Sequence, residues 1–126
     1  MTIQANRPEQ TTDVFVHFFN QGNIDHLIAA YYADGAVLAA APGNAASGAN
    51  LRTALQAYLD VKGTMRATTR HALVAGDTAL LIIDWVIDGR DPGGQPLEIK
   101  GTSTDVVRRS ADGLWRCVID NPHNVA

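Results

Sequence analysis

The side chains that could move a proton gather late in the sequence. Asp120 and His123 are separated only by Asn121-Pro122. A histidine this close to a carboxylate can serve as a general base, with the aspartate orienting its ring. The same segment reads equally as a solvated tail, since chain ends are commonly mobile. Asp105 sits in the alternating run Ser103-Thr104-Asp105-Val106-Val107. If its side of the strand is buried, desolvation raises its pKa and makes it an acid or a hydrogen-bond donor. The structural alternative is a carboxyl that caps a nearby backbone or pairs with an arginine.

Other polar residues offer less. Asp84 and Trp85 are neighbours on one strand, so their side chains leave opposite faces. Arg116 and Asp120 lie roughly 13 Å apart along another, too far to pair with each other. His17 and His26 fall on helix surfaces and His71 falls mid-strand, the usual places of solvated or structurally satisfied rings. Tyr31, Tyr32 and Tyr58 can add hydroxyls, although tyrosines at helical spacing are more often core residues with a wet tip. His71, Asp84, Asp120 and His123 form a metal site only on paper. Just Asp120 and His123 have ligand-like spacing, and Pro122 stands between them, so no metal is expected. The chain has no GxxxxGK-type loop, no GxGxxG after a strand and no HExxH pair, which leaves nucleotide and zinc-protease chemistry without support.

These residues need elements to hold them. Residues 1–7 are polar and read as a flexible arm. Pro8 sits where a helix can start, and Val14, Phe15, Phe18 and Phe19 recur at helical spacing up to Gly22. Asn23 caps a second helix with Leu27, Ile28, Tyr31 and Tyr32 on its apolar face, stopped by Asp34-Gly35. A short strand over 36–41 and a small-residue loop over 42–49 follow. Asn50 then caps a third helix, with Leu51, Leu55, Tyr58 and Leu59 on one side, ending at Gly63. Beyond it, 65–75 and 78–87 are β-rich runs joined at Gly76-Asp77, and 97–109 and 114–120 are two more joined at Asp112-Gly113.

Composition narrows the setting. A chain of 126 residues is expected to be one domain, because two would leave each half too small to bury a core. Only 18% of residues are charged, a low share that points weakly to a surface covered by another subunit. The net charge of −3, with no basic stripe, argues against nucleic acid as a partner. Cys117 is the only cysteine, so an internal disulfide is impossible. No apolar leader follows Met1 and no run approaches membrane-spanning length, so a cytoplasmic protein without membrane attachment is expected.

Three stretches carry a family resemblance. Phe18-Phe19-Asn20-Gln21-Gly22-Asn23-Ile24-Asp25 is similar to a helix-1 ending, and Tyr32-Ala33-Asp34-Gly35-Ala36-Val37 resembles a "YADDAV" entry into the first strand. Ser103–Arg109 followed by Asp112-Gly113-Leu114-Trp115-Arg116 resembles a last hairpin. All three belong to the SnoaL-like, ketosteroid-isomerase-like branch of the nuclear-transport-factor-2 superfamily, over roughly residues 8–122. The resemblance implies an α+β cone: three N-terminal helices on a strongly curved, mostly antiparallel sheet that encloses a pocket. A homodimer through the convex sheet face is expected from the outward residues of the last strand.

Ketosteroid isomerases of this fold use a tyrosine, a carboxylate base and a protonated aspartic acid. Counted onto this chain, those positions fall on Phe15, Ala40 and Asp105, so that mechanism is not expected. The resemblance puts Ser103, Asp105 and Val107 on the pocket side. Strand alternation adds Leu81, Ile83 and Trp85, whose ring either walls the pocket or, as aromatics more often do, fills the core. It points Arg116, Val118 and Asp120 inward, with Trp115, Cys117 and Ile119 outward toward a partner subunit. Phe15, Phe19, Tyr32 and Tyr58 are expected to line the same pocket.

Three functions follow as expectations. The first is a cofactor-independent isomerase, cyclase or lyase acting on an apolar carbonyl compound, with Asp105 as acid and Asp120 with His123 as base. The second is a non-catalytic carrier that uses the same pocket. The third is a dimerisation module.

Overall fold

The computed structural model describes residues 3–124. Three helices, α1 (Gln10–Asn20), α2 (Ile24–Tyr31) and α3 (Gly48–Leu59), pack on a curved six-stranded sheet. Its strands are β1 (Tyr32–Ala41), β2 (Asn44–Ala46), β3 (Thr64–Ala75), β4 (Thr78–Arg90), β5 (Pro96–Arg109) and β6 (Trp115–Asp120). They lie in the order β2-β1-β6-β5-β4-β3, with β1 and β6 parallel and every other pair antiparallel. Leu27, Leu38, Leu55, Leu81, Ile87 and Val107 are fully buried between helices and sheet.

Local chemistry sets the ends of the elements. The Asn23 side chain accepts from the backbone N–H of His26, the N-cap expected of it. Asn20 closes α1 differently: its amide takes the backbone N–H of Met65 at 2.7 Å and gives to the Met65 carbonyl at 3.1 Å, tying the helix to β3. Helix α2 stops at Tyr31, three residues before Asp34. Gly35, at φ +76°, serves a register shift between Tyr32 and Val37 in β1 rather than a helix end. Helix α3 starts at Gly48 behind Ser47, so Asn50 lies in its first turn and is not the cap.

Gly63 is likewise not a helix terminator. A Cβ there would stand 2.5 Å from the Asp88 carbonyl oxygen, and one on Gly89 would meet Val61. The two glycines let the chain leaving α3 lie directly on the end of β4. The expected arm is also docked where it is described. Ile3 packs on the core, Ala5 is buried, and the Ala5 carbonyl accepts from the Trp115 N–H at 2.9 Å. These two are the apolar residues of a polar stretch, and they find cover at the start of β6; residues 1–2 lie outside the described part.

The last strand departs from simple alternation. Val107 pairs with Cys117 but Val106 pairs with Ile119, so Val118 is an extra residue, a β-bulge. Two consecutive outer residues result, and Asp120 returns to the inside. Trp115 and Cys117 are therefore buried and Arg116 and Val118 are not, the reverse of the alternation-based expectation. Asp120 is buried and Ile119 is 48% exposed, as alternation placed them.

Candidate functional site

The helices and the sheet leave one apolar cavity of about 50 Å³ between them. Thr12, Phe15 and Phe19 come from α1, Tyr31 from α2, and Leu55 and Tyr58 from α3. Leu38, Met65, Ala67, Ile83 and Trp85 supply the sheet wall, with Ser103, Asp105, Asp120 and Pro122 beyond. No lysine, arginine or histidine is among the lining side chains. The space suits a guest of a few heavy atoms, since sites for larger ligands are typically about 300–1,000 Å³.

Two carboxyl groups dominate the chemistry. The β5 register faces Asp105 toward Leu81, and the bulge at Val118 brings Asp120 beside it. Asp105 accepts from the Tyr31 hydroxyl at 3.0 Å and from the Asn121 backbone N–H at 2.9 Å. Asp120 accepts from the Tyr32 hydroxyl at 2.6 Å. Burial pushes the Asp105 carboxyl well above the usual carboxylate range, and the charge of Asp120 adds to that. Burial raises Asp120 as well, but the hydrogen bond from Tyr32 opposes the rise. Both carboxyls are thus shifted toward the protonated form, Asp105 more strongly than Asp120. The hydroxyls of Tyr31 and Tyr32 and the Cys117 thiol are all held protonated by burial and by these carboxyls.

The residues expected at the site divide into three groups. Phe15, Phe19, Tyr58, Ile83, Trp85, Ser103, Asp105 and Asp120 line the cavity. Tyr32 and Leu81 are buried just behind the lining, Tyr32 as the support of Asp120 and Leu81 as packing under Asp105. Arg116, Val118 and His123 are elsewhere. Arg116 makes a two-pronged ion pair with Asp112 at 3.0 and 2.9 Å, and Val118 is the bulge residue. His123 turns its Nε2 to the Ala39 carbonyl at 3.1 Å, so Asp120 does not orient it. His71 and Asp84 are also separated from the site, His71 being exposed and Asp84 held by Arg70 and Thr102.

Tyr31, named from the sequence only as one of three tyrosines that can add a hydroxyl, is the lining residue outside the expected set that bonds a carboxyl of the site. Its place was hidden because it and Tyr32 both fit the apolar face of a helix, whereas the helix ends between them. Tyr31 stands edge-on against Phe15 with ring centroids 4.8 Å apart. The Tyr31 hydroxyl thus reaches Asp105 from the end of α2. Ala40 is exposed near the end of β1. One further feature is unusual: the indole Nε1–H of Trp85 is buried without an acceptor.

Comparison with known proteins gives the architecture a lineage. Residues 13–118 match the SnoaL-like domain family. Among solved structures, the chain is similar to a conserved protein from Planctomyces limnophilus, with 17% identity, a TM-score of 0.73 and 88% of each chain covered. It is similar to a ketosteroid isomerase-like protein from Erwinia carotovora atroseptica, with 22% identity, a TM-score of 0.72 and 94% of each chain covered. A nuclear transport factor 2 (NTF2-like) superfamily protein from Salmonella enterica shares 13% identity at a TM-score of 0.69, over 94% of this chain and 88% of that one. Likeness at these identities speaks to the fold alone. No curated protein matches the sequence.

Proposed function

The chain belongs to the SnoaL-like domain family, and from that premise we propose that it takes a compact, uncharged, carbonyl-bearing molecule into its cavity and moves a proton on it without a cofactor, as an isomerase, cyclase or lyase. The observation that carries this reading is the Asp105–Asp120 pair in an apolar wall. A neutral acid beside a carboxylate offers one group to give a proton and one to take it, and their environments push their pKa values apart. Asp120 would accept the proton from carbon and Asp105 would supply one. An anionic guest is disfavoured, because the pair already carries negative charge and no cationic side chain lines the space.

A second reading, a non-catalytic carrier, has its own support. The mapped carboxyl oxygens already receive hydrogen bonds from Tyr31, Tyr32 and Asn121, which suits a pair that shapes the cavity without turning over its guest.

Thermal-shift titration of wild type and Asp105→Asn against small cyclic ketones, followed by deuterium exchange at their α-carbons, separates these readings. A guest at about 100 times its Kd stabilises by about 2.7 kcal/mol. Stabilisation with α-exchange that is lost in Asp105→Asn supports the enzyme, and stabilisation without exchange supports the carrier. No shift with any compound defeats both and leaves an assembly role.

The partner proposal is a second copy of the chain. Leu73, Leu80, Val106, Ile119 and Val37 face one another across five strands on the outer sheet face. The row spans about 19 Å at ordinary strand spacing. Leu73, Leu80 and Ile119 are exposed, and such a patch suits an isologous contact.

A further inference from the structure

Strand β3 forms a free edge of the sheet, and its two ends are finished differently. At its start the Asn20 amide covers the edge by bonding both backbone groups of Met65. Arg66 and Arg70 follow, each in an ion pair with an aspartate of β4, the usual charged guard of an edge. Thr69 still meets α1 through the Thr12 hydroxyl at 2.7 Å, and beyond it the helix gives no cover. Residues 70–78 are all exposed. Leu73 stands 60% open on the outer face and Val74 57% open on the inner one. Ala72-Leu73-Val74-Ala75 carries no charge and no proline, so nothing in it repels an added strand.

The backbone there is in phase for one. The Arg109 N–H donates to the Asp77 carbonyl at 2.8 Å, which turns Asp77 toward β5. Backbone groups alternate along a strand, so Thr78 and Leu80 turn theirs to β3, where they meet Ala75 and Leu73. The two-residue turn at Gly76-Asp77 sets the same phase, because such a turn closes on a bonded pair, here Ala75 and Thr78. The N–H and C=O of Ala72 and Val74 consequently point out of the edge, and no described residue bonds them there.

We propose that the end of β3 is a docking strand for a second copy of this chain, paired antiparallel about a two-fold axis at Leu73. In that register Ala72 of each copy lies opposite Val74 of the other, and each such pair exchanges both backbone bonds. Leu73 meets its own counterpart on the outer face, so the apolar row of one sheet runs on into the next. On the inner side small Ala72 sits beside larger Val74, and His71 falls opposite Ala75, so no like charges are opposed. A second copy supplies this match by symmetry, whereas an unrelated strand has no reason to carry it. The contact is separate from the cavity and from the face-to-face pairing, whose side chains stay outward. It is too short to bury the about 1,200 Å² of a stable interface, so its Kd is expected on the order of 1 mM.

Amide hydrogen exchange followed by NMR tests this on wild type, at about 20 μM and about 1 mM protein, either side of that Kd. The Ala72 and Val74 amides should exchange about twofold more slowly at the higher concentration, and those of Leu73 and Ala75, bonded to β4, should not change. Under mild oxidation at about 1 mM, Leu73→Cys should form a disulfide-linked dimer, since facing non-bonded residues lie about 4.5 Å apart, within disulfide reach. Cys117 is buried and stays out of the reaction. Val74→Pro removes an edge donor that β4 does not use, so adding it to Leu73→Cys should slow the cross-link about tenfold. Exchange at Ala72 and Val74 that does not vary with concentration overturns the inference, with no variant needed. A Leu73→Cys cross-link undiminished by Val74→Pro also overturns it, and assigns the contact to the sheet face instead.

Discussion

At the scale of residues, the costliest feature is a pair of carboxyls buried side by side. It persists because its oxygens take hydrogen bonds from Tyr31, Tyr32 and Asn121 and because burial favours retention of the proton on Asp105. That retention has a signature in stability. Asp105 titrates near 3.8 when unperturbed, and folding raises its pKa. From about pH 4 upward the unfolded chain has lost the proton that the fold keeps, so the folded state binds more protons and stability from this group falls as pH rises through the raised value. Asp120 adds to the slope with the same sign. Tyr31, Tyr32, Cys117 and His123 are the other titratable groups around the pair. Asp105→Asn removes the largest contribution, so urea unfolding from pH 4 to 8 should show the variant gaining steadily on wild type. A difference that does not vary with pH would contradict the raised pKa of Asp105. Asp105 was legible because alternation and family resemblance agree on its facing. Arg116 and Val118 were misplaced because nothing in the composition of Val118 marks a bulge.

Elements were legible where chemistry punctuates them. The turns at Gly76-Asp77 and Asp112-Gly113 bound strands β3 to β6 within a few residues, and Asn23 marks the start of α2. Boundaries set by tertiary contact were not visible. Tyr32 leaves α2 because its backbone pairs with Cys117 and its hydroxyl with Asp120, both distant in sequence. Gly63 looks like a helix end but exists for the close crossing with β4. Gly63→Ala puts a methyl 2.5 Å from the Asp88 carbonyl and 2.8 Å from Ile87 Cγ2. Overpacking of this kind costs about 1–3 kcal/mol. Calorimetry should register a Tm several degrees lower, and an unchanged Tm would mean that the crossing is loose.

For the whole molecule, the apolar row on the outer face is the feature a monomer would have to explain. If a second copy covers it, sedimentation of wild type gives a dimer and Leu80→Asp gives a folded monomer. A monomeric wild type at micromolar concentration defeats the proposal. Trp115, expected on that face, is instead buried inside, so the surface rests on aliphatic side chains. The convex face was legible from alternation in β4 and β5, and only β6 escaped it. On the ribosome this sheet assembles out of spatial order. β6 lies between β1 and β5, yet it is translated after both. At ordinary synthesis rates β1 waits on the order of 4–15 s for its inner neighbour, with a hydrogen-bonding edge open. Asp120 arrives with that strand, so the nascent chain has neither a continuous sheet nor an acid pair until β6 inserts between β1 and β5.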